Sequence, residues 1–232
     1  MTSRTAILAL VGTLLPGLGC TTHANECTPR PPPKAAVPPP CIPGATAASS
    51  AAQERRLIWD GEDPSSSAKG WASCDDKGHC SVTLNSEAGA GHGGSKGLVF
   101  RARAKQWAGF GWNWFGWHPD NAGTDISKYK SLTFKLRVEA APGKQKPPTE
   151  ALQVSLNGSS KGGKDRTAAV PLSDYAQDYL DGAWHEIVIP LEPLLQGEGQ
   201  GFDTTKAWAV DIGGWSAEEC DYQLSLDDIA FL

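Results

Sequence analysis

From Arg55 to the C-terminus, apolar residues recur at every second position, the period of a half-buried β-strand rather than of a helix. Leu98, Phe100 and Ala102 alternate with Val99, Arg101 and Arg103, and Leu132, Phe134, Leu136 and Val138 alternate with Thr133, Lys135 and Arg137. The same pattern marks residues 57–59, 80–84, 97–104, 108–117, 131–138, 152–156, 168–172, 184–191, 207–212 and 222–231 as strands, about ten of them. Gly, Pro, Asp and Asn separate them and supply the turns. No segment holds a 3.6-residue period over three turns. Residues 174–180 and 193–196 have room for one helical turn each. Short strands in series with no helices between them cannot build a parallel sheet, so the chain is expected to be all-β, an antiparallel sandwich or barrel.

The segment before Arg55 is of another kind. Arg4, an apolar run over 6–15 and the breaker Pro16-Gly17 read as an export signal, and the run is too short to span a bilayer. It ends in Gly17-Leu18-Gly19-Cys20, which resembles the lipobox of bacterial lipoproteins. That resemblance implies acylation of Cys20 after removal of residues 1–19, and with Thr21 rather than Asp next, sorting to the outer membrane. An ordinary signal peptide cut nearby is the alternative. Nine of the 17 Pro lie before residue 51, including Pro31-Pro32-Pro33 and Pro38-Pro39-Pro40. Residues 20–54 are therefore expected to form a disordered, extended tether, with residues 55–232 as a single folded unit. The net charge of −5 comes without any basic run, which argues against nucleic acid as a partner.

Export permits disulfides. Cys74 and Cys80 close a short loop around a Lys-Gly turn and form the best pair, whereas Cys27, Cys41 and Cys220 have more than one pairing open to them. Zinc on Cys74, His79 and Cys80 is a competing reading that the spacing does not favour.

The order of motifs in the unit is more specific. Trp59-Asp60-Gly61-Glu62-Asp63 opens it and Gly70-Trp71 follows. Then come Gly97-Leu98-Val99-Phe100, the entry Asp125-Ile126-Ser127-Lys128-Tyr129-Lys130-Ser131-Leu132-Thr133-Phe134, the strand Gly182-Ala183-Trp184 through Ile189-Pro190-Leu191, and the close Leu226-Asp227-Asp228-Ile229. Over about residues 56–232 this resembles the β-jelly-roll carbohydrate-binding modules and their galactose-binding-like relatives, found beside bacterial glycan-degrading enzymes. The resemblance implies a jelly-roll sandwich that binds polysaccharide. It also implies a structural calcium tying the first strand to the last, with Asp60, Glu62, Asp227 and Asp228 as its candidate ligands; hard carboxylate oxygens suit that ion.

Nine Trp against six Phe and four Tyr is an unusual ratio. Trp107, Phe110, Trp112, Trp114, Phe115 and Trp117 crowd one stretch, with Phe110, Trp112 and Trp114 on one face by alternation and Phe115 and Trp117 on the other. One face must be core. Rings on the other can stack on the C–H faces of sugars. The candidate ligand-binding residues are Trp112, Trp114, Trp117, Trp215 after Gly213-Gly214, Tyr175 on a pocket rim, and the donors Arg101 and Asn113. Trp184 and Trp208 are assigned to packing. No nucleophile elbow, zinc-protease helix or phosphate loop is present, and no strand carries the paired acids of a glycosidase. The expected function is non-catalytic glycan binding by a monomeric, exported lipoprotein that meets the membrane only through its lipid. The alternatives are a structural or adhesive lipoprotein with a protein partner and, below that, a diverged glycan-active enzyme.

Overall fold

The computed structural model describes residues 54–62, 69–75, 79–114, 123–159 and 164–232. The segment read as an export signal, Cys20, the Pro-rich arm with Cys27 and Cys41, and Trp117 lie outside the described residues. Everything below concerns the unit Ser49–Leu232.

Among the described residues nine antiparallel strands are present: β1 (Arg56–Trp59), β2 (Lys69–Cys74), β3 (Ser81–Glu87), β4 (Gly97–Asn113), β5 (Ser131–Ala140), β6 (Leu152–Gly158), β7 (Val170–Pro171), β8 (Trp184–Pro190) and β9 (Ala207–Phe231). One five-residue helix, α1 (Leu191–Leu195), follows β8. Two pairs of expected strands are in fact single long ones. Residues 97–113 run unbroken as β4 and residues 207–231 as β9. β2 was not anticipated, because Lys69–Cys74 has too few apolar residues to show alternation. The turn expected at 174–180 is a 3-10 turn at Leu172–Asp174.

β4 and β9 pair along their lengths, and the register slips between Ala104 and Gln106. There Gln106 adopts φ 69°, the left-handed region that side chains with a Cβ rarely occupy, as a strand does where it turns a corner. The corner folds the ribbon over. The rings of Phe100 and Phe110, ten residues apart on one strand, stack with centroids 4.8 Å apart. One hydrogen-bonded sheet thus becomes two layers. In the first, β3 flanks the leading half of β4, and the trailing half of β9 is joined by β5 and β8. In the second, β2 flanks the trailing half of β4, and the leading half of β9 is joined by β6 and β7. This is the expected antiparallel β-sandwich.

The inner faces follow the alternation. Leu98, Phe100, Leu132, Phe134, Leu136, Leu224 and Leu226 of the first layer meet Phe110, Val154, Leu156, Val210 and Ile212 of the second, and all are buried. Trp184 departs from expectation. Its register partner is Arg137, so it stands on the outer face of the first layer, where the Arg137 guanidinium lies 5.2 Å over its ring.

The chain ends are tied together. β1 pairs with the last residues of β9, Arg56 opposite Phe231. Beside it, Glu62 accepts the Lys96 N–H at 2.6 Å, and buried Asp227 accepts the His92 N–H at 2.8 Å and the Ser95 hydroxyl at 2.7 Å. One loop, 91–96, therefore links the opening and closing segments.

Candidate functional site

The trailing half of β4 places Ala108, Phe110 and Trp112 inward, so Trp107, Gly109, Gly111 and Asn113 face outward. Across the register, Trp71 of β2 stands opposite Gly111, Gly111 opposite Asp211, and Asp211 opposite Ser155. One rung along, Gly109 stands opposite Gly213 and Gly213 opposite Gln153. The outer face of the second layer therefore has a floor of three glycines, flanked by indoles on one side and polar side chains on the other.

The glycines are needed there. A Cβ on Gly109 would come 2.7 Å from Trp107 Cζ2, and one on Gly213 would come 3.1 Å from the same atom. A Cβ on Gly111 would collide with both Trp71 Nε1 and Asp211 Oδ1. Each indole thus rests against bare backbone. The two rings are nearly parallel, 20° apart with centroids 6.3 Å apart, and make a paired aromatic platform. Trp215 is the cross-strand partner of Trp107 on the same face and is 59% exposed, the most exposed large apolar side chain of the described residues.

The polar side is a linked cluster. Asp211 Oδ2 accepts from Asn157 Nδ2 at 2.5 Å and pairs with the Arg166 guanidinium at 3.1 Å, while Arg166 Nε donates to Ser155 Oγ at 2.9 Å. Burial pushes the Asp211 carboxyl up from its ordinary value, against the opposing pull of Asn157 and Arg166. Half of the Arg166 side chain remains open to solvent. Trp71, Trp107, Gln153, Ser155, Arg166, Glu198 and Asp211 line a cleft of ≈ 190 Å³.

The structure moves several of the expected site residues elsewhere. Trp112 is a core residue, 9% exposed, with its ring 5.2 Å from that of Trp59. It has the same inward phase as Phe110, and a buried ring cannot meet a glycan. Trp114, also in that phase, is half-buried against the core, with its N–H donated to Thr124 Oγ1 at 3.1 Å and its ring edge-on to Phe231. Arg101 belongs to the first layer, where both its terminal nitrogens hold the Glu87 carboxylate, so it is a whole layer away from the cleft. Tyr175 caps a 3-10 turn and packs against the core. Asn113 lies on the same outward phase as Gly111 but is fully buried. Among the described residues, Trp215 is the one expected ring that stands exposed on the platform face.

The four acids assigned to calcium do not form a cage. Asp227 is occupied by His92, Ser95 and the Asp228 N–H, and Asp228 pairs with Lys135 at 3.0 Å. Glu62 holds Lys96, and Asp60 accepts the Glu62 N–H at 3.0 Å. Among the described residues no three His, Cys, Asp or Glu gather to hold a metal. Hydrogen bonds through loop 91–96 tie the chain ends together at these acids. The Cys74–Cys80 disulfide is formed and closes the loop after β2, while Cys220 is a buried free thiol.

Trp71, Trp107, Asn157, Arg166, Glu198 and Asp211 were not among the expected site residues. For Trp107 a signal existed: it stands at the head of a Trp-x-Gly-x-Gly alternation, opposite in phase to the core rings. For Arg166 and Asp211 there was none, since their meeting depends on which strands become neighbours.

No family model and no curated protein matches the chain. Solved structures do. A family 30 carbohydrate-binding module superposes with a TM-score of 0.56 at 16% identity, covering 77% of this chain and 98% of that one. The family 11 module of a cellulosomal cellulase of Clostridium thermocellum gives 0.50 at 15% identity, covering 78% of this chain and 95% of that one. A β-1,2-glucanase from Parabacteroides distasonis gives 0.50 at 15% identity, and there the match spans 76% of this chain but 24% of that one. Residues of the unit Ser49–Leu232 thus have the β-sandwich fold found in carbohydrate-binding modules.

Proposed function

We propose that the protein binds a glycan on the outer face of the second layer, without chemistry. The observation that carries this is the row of indoles, Trp71 and Trp107 lying on glycine backbone with Trp215 beyond them, set beside the Arg166–Asp211–Asn157 cluster. A pyranose offers an apolar C–H face and a rim of hydroxyls, so it needs a flat ring below and charged or amide groups at the side. Two nearly parallel indoles suit successive sugars of an extended chain. Rings set in a row along a cleft favour a polysaccharide over a protein partner, which would take an isolated convex patch. The sandwich architecture shared with carbohydrate-binding modules supports the same reading, although folds host many functions.

Asp211 Oδ2 is held by Arg166 and Asn157, which suits reading hydroxyls rather than transferring protons. Export, acylation of Cys20 and a tether over 20–54 complete the proposal: a lipid-anchored, monomeric binding protein held off a membrane. A glycan array probed with the full chain tests it. Retention of a polysaccharide by the wild type, lost on Trp107→Ala, is the expected result. No retention of any glycan would end it.

A further inference from the structure

Asp211 carries one loose end. Its Oδ2 has two donors, but its Oδ1 is buried with no hydrogen-bond partner, in a residue only 5% exposed. A buried carboxylate oxygen without a donor costs stability and calls for an explanation. The atom that shares its place is an indole nitrogen: Trp71 Nε1 and Asp211 Oδ1 both crowd the position a Cβ on Gly111 would take. Among the described residues Trp71 Nε1 has no acceptor of its own. An unpaired donor and an unpaired acceptor thus stand over the same bare backbone.

We infer that Asp211 is the positioning residue of the platform: the two atoms stand unpaired over Gly111, and a small shift of the ring closes a bond in which Trp71 Nε1–H donates to Asp211 Oδ1 and fixes the indole plane against the sheet. The inference rests on the glycan reading of the cleft. Indole donors usually find a partner when they are partly buried, and a hydrogen bond to a carboxylate is among the stronger ones. The consequence is that ring and polar cluster form one unit. Arg166 and Asn157 hold one oxygen of Asp211 and Trp71 holds the other, so the ring cannot tilt without disturbing the groups that read hydroxyls. Gly111 is the gap through which the two meet.

The test reads the indole itself. In the full-length protein labelled at its indole nitrogens, Trp71→Phe identifies the Trp71 N–H signal. The expected result is exchange of that proton with solvent about tenfold slower than in a free indole. Asp211→Asn keeps the shape but reverses the chemistry: Asn157 and Arg166 both donate toward Oδ2, so the amide oxygen must take that place and its nitrogen must face Trp71. Asp211→Asn is therefore expected to abolish the slow exchange and move the Trp71 signal, leaving that of Trp107 in place, and Asp211→Ala is expected to do the same. A Trp71 proton that exchanges freely in the wild type, or is indifferent to both substitutions, overturns the inference. Glycan retention gives the separate readout: Asp211→Asn should weaken it about tenfold. If the indole responds as expected but no glycan is retained by the wild type, the positioning stands and the glycan reading falls. If glycan is retained but the indole ignores Asp211, the positioning falls and the glycan reading stands.

Discussion

Trp107 and Trp112 are five residues apart on one strand, in opposite phases, and their truncations should do opposite things. Trp112 is 9% exposed and packs on Trp59 at 5.2 Å, so Trp112→Ala opens a cavity between the layers. Removing such a ring costs about 3–5 kcal/mol. At about 2–4 °C per kcal/mol for a unit of this size, the melt should fall by roughly 6–20 °C. Trp107 rests on the outer face against Gly109 and Gly213, and its removal exposes only glycine backbone. Its loss should cost no more than about 1 kcal/mol of stability. The effect on binding is reversed. Loss of one stacking ring, on the scale of aromatic–base stacking, is about 1–3 kcal/mol, or roughly a 5- to 150-fold weaker affinity. Thermal melting and affinity electrophoresis through a gel containing the retained polysaccharide read the two quantities separately. If Trp112→Ala keeps its melt while losing affinity, or Trp107→Ala unfolds while binding normally, the assignment of faces is wrong.

Three further perturbations have defined outcomes. Because burial raises the Asp211 carboxyl, the folded chain holds that proton more tightly than the unfolded one, so this group's contribution to stability falls as pH rises from about 3.9, its unfolded value, through the raised folded one. The unfolding free energy of the wild type minus that of Asp211→Asn should decline across that window, and a rising difference would contradict the burial argument. Reducing the Cys74–Cys80 disulfide, which closes a short loop after the strand bearing Trp71, should cost about 2 kcal/mol and weaken glycan retention; a melt unaffected by reductant would show that the loop is held by other contacts. Cys20→Ser should release the protein from membranes in fractionated cells, and persistent membrane association without lipid on residue 20 would end the lipoprotein proposal.

Alternation made the layers legible, because a buried face must be apolar at every second residue and Leu98, Phe100, Leu132 and Phe134 are. It could not show that β4 and β9 each serve both layers. Their corners, at Gln106 in β4 and across residues 216–220 in β9, carry no Gly or Pro, and are imposed by pairing between strands over a hundred residues apart. For the site, phase put Phe110, Trp112 and Trp114 together on one face, as the structure has them, but density of aromatics drew the assignment to Trp112 and Trp114, which belong to the core. Trp107 stood alone in the outward phase within the described stretch, and its partner Trp71 lies on β2, a strand too polar to be seen. The polar half was illegible for a further reason. Asn157, Arg166 and Asp211 become neighbours only through the β6–β9 register and the bridge between Asn157 and Arg166.

The central claim is that one face of one layer binds glycan. It is tested most directly by comparing full-length wild type, Trp71→Ala with Trp107→Ala, and Arg101→Ala for retention on the polysaccharide identified by array. Arg101 lies on the other layer and serves as the control for a general loss of surface charge. The account predicts retention of the wild type and of Arg101→Ala, and none of the double variant, with all three folded by circular dichroism. A folded double variant that is retained like the wild type would place binding elsewhere on the molecule and contradict the account.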